Sequence, residues 1–256
     1  MSFYKLLLKY NGYGYQGWQK QAHSDQTIQG QLEKSLIKIS KSEKLHTIGS
    51  GRTDSGVHAL GQVVRIEIEL DIDPNALVKA LNSNLPDSIQ CLACETSNDK
   101  FNPVFDAKEK TYRYIFCTGE RRNPHLSQLV TFLDREMDFE LMKDACQAYV
   151  GKHDFADFYT TGTEVSSTVR EIFSCKLHKI TNTSFFGDLV GEMYEFEVTG
   201  SGFLKQMVRL MMGTLWNIGL GKVTTQELVE KLREPNGNKL APVAASQGLY
   251  LDNVKY

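Results

Sequence analysis

An aspartate stands near the middle of "GRTDSGVH", residues 51 to 58, a run of turn formers and polar residues. Three kinds of chemistry use such a run. An Asp-Ser-Gly tripeptide is how an aspartic protease presents its carboxylate. The Gly51-to-Gly56 spacing is half of a phosphate-binding loop. A turn between two strands also has this composition, with the aspartate bonding its own backbone. The protease needs a second such carboxylate to share one proton. The chain has a single tripeptide of this kind, among segments that read as helices. The phosphate loop needs Lys and then Ser or Thr where Val57 and His58 stand, and it must open a helix. Arg52, two residues before Asp54, and glycines at 49, 51 and 56 favour a loop that presents a side chain to a ligand.

The elements around Asp54 follow from periodicity. "YKLLLKY" (4–10) is a short apolar strand, followed by a loop rich in glycine and aromatics, "NGYGYQGWQKQ". Residues 27–40 bring Ile28, Leu32, Leu36 and Ile39 onto one helical face, with Thr27 as N-cap. After the Asp54 loop, Val64, Ile66, Ile68 and Leu70 alternate with Arg65, Glu67 and Glu69, which predicts a strand. Asp73 caps a second helix with Pro74 at its first position. "SIQCLACET" closes the unit as a strand, on which Cys91 and Cys94 are expected to face opposite ways.

The second half repeats this outline with longer insertions. "KTYRYIFCTG", "REIFSCKLHKI", "EMYEFEVTG" and "GLYLDNVKY" read as strands. "FELMKDACQAYVGKHDF", "GFLKQMVRLMMGTLWNIGLG" and "TTQELVEKLRE" carry helices. The outline predicts an α+β protein of two ferredoxin-like halves, residues 1–105 and 106–256, joined in one extended antiparallel sheet flanked by helices.

Composition bounds the rest. The 256 residues are 41% hydrophobic and 23% charged, and 29 basic against 31 acidic side chains leave a net charge of −2. Any nucleic-acid binding therefore needs a local basic cleft. The apolar runs are too short for a membrane helix, and the start has no cleavable leader, so a cytoplasmic protein is expected. Five scattered cysteines read as free thiols, and six histidines form no metal-binding spacing, so no metal site is expected.

The quoted residues carry a resemblance. "GRTDSGVHALGQVV" resembles the catalytic-loop signature of the tRNA pseudouridine synthase A family. "YNGYGYQGWQKQ" with "TIQGQLEKSL", then "FNPVFDAKEKTYRYIF", "KHDFADF", "GSGFLKQMVR" and "GLYL" are similar to further family segments in the same order, over nearly the whole chain. Ser55 stands where the family usually has alanine.

The resemblance implies an isomerase that converts uridine to pseudouridine at positions 38, 39 and 40 of tRNA, in the anticodon stem-loop. It implies a homodimer, with one tRNA contacting both subunits. The reaction breaks the bond from ribose C1′ to N1, turns the base and joins C1′ to C5, which calls for no cofactor and no metal. By resemblance Asp54 is the catalytic carboxylate, whether as a nucleophile or as a base at C2′. Arg209 is the cation that keeps it ionised; Lys205, Arg209, Gly213 and Asn217 recur every four residues on one helix stripe. Tyr112, on the same strand face as Tyr114 and opposite Arg113, stacks on the target uracil. Arg52 contacts RNA near the target. Lys20, Lys108, Lys110, Arg113, Arg121, Arg122 and Arg170 are candidate phosphate contacts. The rival reading is an RNA-binding module of similar fold without catalysis.

Overall fold

The computed structural model describes residues 1–119, 123–162, 165–181 and 192–256. The chain groups into two compact units, one of Met1–Lys108 with Tyr250–Tyr256, the other of Glu109–Leu249.

The first unit runs β1 (Ser2–Tyr10), α1 (Ile28–Ser40), β2 (Leu45–Gly49), β3 (His58–Ile68), α2 (Pro74–Asn82) and β4 (Ile89–Thr96). β1 lies between β4 and β3, and β2 pairs with the far edge of β3, which is the ferredoxin-like strand order. β3 is long enough to share that edge. Residues 64–68 pair with β2, while His58 and Ala59 pair with Tyr250 and Leu251 of the last strand.

Both helices begin as their caps dictate. The Thr27 side chain accepts from the Gly30 amide, and the Asp73 carboxylate accepts from the Ala76 amide ahead of Pro74 at the helix start. Ile28, Leu32 and Leu36 of α1, Leu77 and Leu81 of α2, Leu6 and Leu8 of β1, and Val64, Ile66 and Ile68 of β3 are all fully buried. Each such side chain contributes about 1.5–3 kcal/mol by leaving water.

The second unit runs β5 (Glu109–Thr118), β6 (Thr131–Leu133), α3 (Phe139–Ala145), β7 (Gly151–Asp154), β8 (Val169–Lys179), β9 (Glu192–Gly200), α4 (Met207–Gly219) and α5 (Thr225–Arg233). The last strand of the chain is β10 (Leu249–Lys255). β9 lies antiparallel between β5 and β8, and β7 pairs with the outer edge of β8. Tyr114, Phe116, Phe196, Val198, Cys175 and Leu177 from these strands form a buried face with Met142, Met211, Leu215 and Ile218 from α3 and α4. α5 opens on a full capping box between Thr224 and Glu227.

The α+β class holds, with refinements. The β3–β10 and β5–β6 ladders are parallel rather than antiparallel. Residues 151–154, inside a segment read as helical, form a strand. The helix expected from Gly202 starts at Met207, because Gln206 before it is left-handed at φ 62°. Cys91 and Cys94 share a face of β4, contrary to simple alternation. Leu92 is an extra residue opposite β1, so Cys94 pairs with Leu6 and Cys91 with Leu8, two positions apart.

Candidate active site

The Asp54 loop is held at its base, its middle and its turn. At the base, the Ser50 amide donates to the Val63 carbonyl at 2.8 Å. The Ser50 hydroxyl donates to Gln62 Oε1 at 2.6 Å, and Gln62 Nε2 donates to the Gly51 carbonyl at 2.7 Å. In the middle, Thr53 Oγ1 and the Tyr10 hydroxyl lie 2.9 Å apart, and the Trp18 amide donates to the Thr53 carbonyl at 3.0 Å. At the turn, the Val57 amide donates to the Asp54 carbonyl at 3.1 Å, with Gly56 at φ 77°. The Gly56 amide and the Ser55 hydroxyl both donate to the Tyr15 carbonyl. Asp54 is half-buried between Arg52 and Ser55, which are exposed. The turn expected of a glycine-flanked aspartate is therefore present in the backbone.

The preceding glycine- and aromatic-rich loop is the other half of this clamp, a role its composition did not disclose. A Cβ on Gly12 would overlap the Val57 carbonyl. One on Gly17, whose φ is 93°, would come within 2.6 Å of the Thr53 carbonyl. Only glycine lets the two backbones lie this close. The Gly12 amide donates to Nδ1 of buried His58 at 3.0 Å, and the His58 ring stacks on Tyr250 with centroids 4.7 Å apart. Trp18 is 2% exposed and stacks on Tyr10. Its indole fills the space beside Gly49, 2.6 Å from where a Cβ would stand. Gly49 therefore makes room for the protein's own tryptophan, not for a ligand. Tyr10, Gly12, Gly17, Trp18, Ser50, His58 and Gln62 were absent from the sequence-derived site. The one available signal was a second glycine-rich loop.

Arg52 and Asp54 belong to the first unit, and Tyr112 and Arg209 to the second. Tyr112 sits on β5 opposite Val198, and its ring meets the edge of Phe203 with centroids 5.0 Å apart. It shares the inner face of β5 with Tyr114, as alternation required. The Tyr114 hydroxyl is satisfied by Thr131 Oγ1 and the Ala245 carbonyl, each at 2.8 Å, and burial pushes its ionisation up.

Arg209 lies in the first turn of α4, with Nε donating to the Ala244 carbonyl at 2.7 Å while its own carbonyl accepts from the Ala244 amide. The rest of its stripe carries the same segment. Gly213 lies against the Pro242 carbonyl, and Asn217 Nδ2 donates to the Leu240 carbonyl at 2.8 Å. The stripe is a track for residues 240–244, not a solvated face, and Lys205 precedes the helix.

The basic candidates separate. Lys20 pairs with Glu33 at 2.8 Å. Arg113 lies between Glu195 at 3.3 Å and Glu197 at 3.5 Å. Lys108 is exposed. Lys110 and Arg170 are both half-buried in the second unit. Arg121 and Arg122 fall outside the described residues.

The first unit can present one carboxylate from a braced loop, and the second an aromatic face from a sheet. Comparison with known proteins gives the chain a class. A family model described as tRNA pseudouridine synthase matches residues 7–106 and 145–256. Proteins named tRNA pseudouridine synthase A from Streptococcus pneumoniae serotype 19F and serotype 2 are each 34% identical over 256 residues, covering 100% of this chain and 99% of the relative. The chain belongs to the tRNA pseudouridine synthase family, a family of isomerases. Among the described residues, no helix is long and apolar enough to cross a membrane.

Proposed function

We propose that this chain converts uridine to pseudouridine at positions 38, 39 and 40 of the tRNA anticodon stem-loop, with Asp54 as the catalytic carboxylate. The observation that carries the reading is the clamp. Eight hydrogen bonds and two glycine contacts, described above, hold the Asp54 loop rigid, in a chain that belongs to the tRNA pseudouridine synthase family. Preorganisation of this kind is what a carboxylate needs to meet a base drawn out of its stack.

The isomerisation is redox-neutral and takes no cofactor. The N1–C1′ bond breaks, the uracil turns, C5 bonds to C1′, and the C5 proton leaves to water. Asp54 serves as nucleophile or as the base at C2′. Arg209 supplies the positive charge that favours the ionised carboxylate, Tyr112 stacks on the uracil, and Arg52 contacts RNA beside the target. The enzyme works as a cytoplasmic homodimer, with each tRNA touching both subunits.

The test is tritium release from tRNA transcripts carrying 5-tritiated uridine, with wild type beside Asp54→Asn and a binding assay on both. Wild type is expected to release tritium, and Asp54→Asn to bind without release. Release by the variant at the wild-type rate would remove Asp54 from the chemistry. No release by folded wild type would remove the synthase reading.

A further inference from the structure

Residues 10–18, which clamp the Asp54 turn, include four aromatic side chains, Tyr10, Tyr13, Tyr15 and Trp18. Three of them are spent on the clamp. Tyr10 and Trp18 are buried and stack on one another, with the Tyr10 hydroxyl at Thr53 Oγ1. The Tyr15 hydroxyl lies 2.7 Å from Ser88 Oγ. Tyr13 is left to solvent. It is 55% exposed, and among the described residues its ring meets no other ring and its hydroxyl no hydrogen-bond partner.

The backbone under this ring is held. The Tyr13 amide donates to Asn11 Oδ1 at 3.0 Å. The Tyr15 amide donates to the Gly12 carbonyl at 3.1 Å, which closes a tight turn with Tyr13 and Gly14 at its centre. Gly14 supplies a positive φ of 82° at the second central position, and nothing lies within 4 Å of where its Cβ would stand. One flank of Tyr13 is therefore open, and turn geometry asks for nothing aromatic at its position.

The turn rests on the Asp54 loop. Gly12, before Tyr13, abuts the Val57 carbonyl. The Tyr15 carbonyl, after it, accepts the Gly56 amide and the Ser55 hydroxyl. Tyr13 is thus carried on residues 55–57, the three that follow Asp54. Arg52 and Ser55 are the exposed side chains beside Asp54 on that loop.

The reaction proposed for Asp54 indicates what would meet such a ring. Drawing a uridine out of its stack strips the flanking base of one stacked face, and that loss opposes extrusion. A tyrosine ring is a flat apolar surface with a polar tip, and it stacks on any base because every base has a π-face.

We propose that Tyr13 is a stacking platform for a nucleobase flanking the target uridine. The platform rests on the function proposed above and adds to it the group that restores part of the stacking lost on extrusion. Arg52 brings charge to the same stretch of RNA and Tyr13 a neutral surface, so only the first contact weakens with salt.

The test uses anticodon stem-loop RNAs with one target uridine and a single abasic residue, placed in turn at the two positions on either side of it. Affinity is measured for wild type, Tyr13→Ala and Tyr13→Phe, with tritium release from the intact RNA. Tyr13→Ala should bind the intact RNA about tenfold more weakly, and Tyr13→Phe within about twofold of wild type. Wild type should lose about tenfold at one abasic position, to which Tyr13→Ala is indifferent. The slope of log affinity against log salt should be the same for all three proteins. Tyr13→Ala binding as tightly as wild type, Tyr13→Phe failing as badly as Tyr13→Ala, or wild type indifferent to all four abasic positions would each overturn the platform. A change in sedimentation on Tyr13→Ala would assign the ring to a contact between subunits and overturn it as well. Should Tyr13→Ala fail to fold by circular dichroism, Tyr13→Leu, which keeps bulk without an aromatic face, takes its place. Tritium release with no abasic effect sinks the platform and leaves the synthase. An abasic effect that Tyr13→Ala removes, without release by wild type, keeps the platform and sinks the synthase.

Discussion

Ser50 donates its hydroxyl to Oε1 of Gln62 at 2.6 Å, and both side chains are completely shielded from water. The other end of the Gln62 amide holds the Gly51 carbonyl, so one buried side chain ties the base of the Asp54 loop to β3. Gln62→Leu keeps the volume but leaves the Ser50 hydroxyl and the Gly51 carbonyl without this partner. Each such loss costs about 1–3 kcal/mol. Urea unfolding should register a destabilisation in that range or above, and tritium release should fall further than RNA binding does. Adding Ser50→Ala to Gln62→Leu should cost less than the sum of the two, since one interaction cannot be lost twice.

Gly12 and Gly17 are where the two loops touch. Gly17→Ala brings a methyl within 2.6 Å of the Thr53 carbonyl at a φ of 93°, and Gly12→Ala drives one into the Val57 carbonyl. Overpacking against backbone costs about 1–3 kcal/mol or more. Both variants should melt lower and turn over more slowly. Gly14→Ala is the contrast, with nothing within 4 Å of its Cβ and only the strain of φ 82° to meet. Its melting temperature should lie between wild type and the other two.

Asp157 and Lys231 form a buried pair 3.3 Å apart, with side chains 2% and 9% exposed. Asp157 also accepts the amides of Asn236 and Gly237, each at 2.8 Å. Asp157→Ala therefore takes the counter-charge from a buried ammonium, which keeps only its hydrogen bond to Asn236 Oδ1, and strands two amides, and should cost about 3–5 kcal/mol. Lys231→Met leaves the carboxylate its two amide donors, so the loss should be smaller. Equilibrium unfolding of the two variants checks the order, and equal losses would contradict it.

Thiol labelling should be slow and nearly confined to one site. Cys91, Cys117, Cys146 and Cys175 are buried, and Cys94 is half-buried. Burial pushes the Cys94 thiol from 9.0 up to about 11, with nearby Glu95 and Asp73 adding to it. At pH 8 its thiolate fraction is then about 100-fold below that of an ordinary cysteine. The folded protein should react with a maleimide at Cys94, with the rate rising about tenfold per pH unit up to about pH 11. In denaturant all five thiols should react quickly. Fast labelling of native Cys94 at pH 7 would contradict this environment.

The raised thiols also set a sign for stability at high pH. Cys91 and Cys117 sit at about 12 in the fold against 9.0 when exposed, because burial disfavours the thiolate. Their stabilising contribution is complete below pH 9 and is lost as pH rises toward 12, since the unfolded chain releases those protons first. The urea midpoint should therefore fall between about pH 9 and 12, and Cys91→Ala should make that fall shallower.

Local chemistry in the sequence was enough for most of the elements, though not for the strand at residues 151–154 or the start of α4. Thr27 and Asp73 cap because their oxygens meet helix amides two or three residues on, and β3 alternates because its two faces meet core and solvent. The Asp54 turn was legible for the same reason, since its glycine supplies a positive φ within four residues. What depended on distant segments was not legible. The bulge at Leu92 turns Cys91 and Cys94 to one side because β1 sets the register. The Arg209 stripe became a track because residues 240–244 lie on it. The glycines at 12 and 17 acquired their purpose from a loop some forty residues away. Lys110 and Arg170, sixty residues apart, are neighbours only because β9 lies between their strands. Capping, alternation and turn geometry act over a few residues and are written in residue types. Which glutamates Arg113 meets, and which cations come to lie near one another, is settled by strand order, and strand order belongs to the tertiary structure alone.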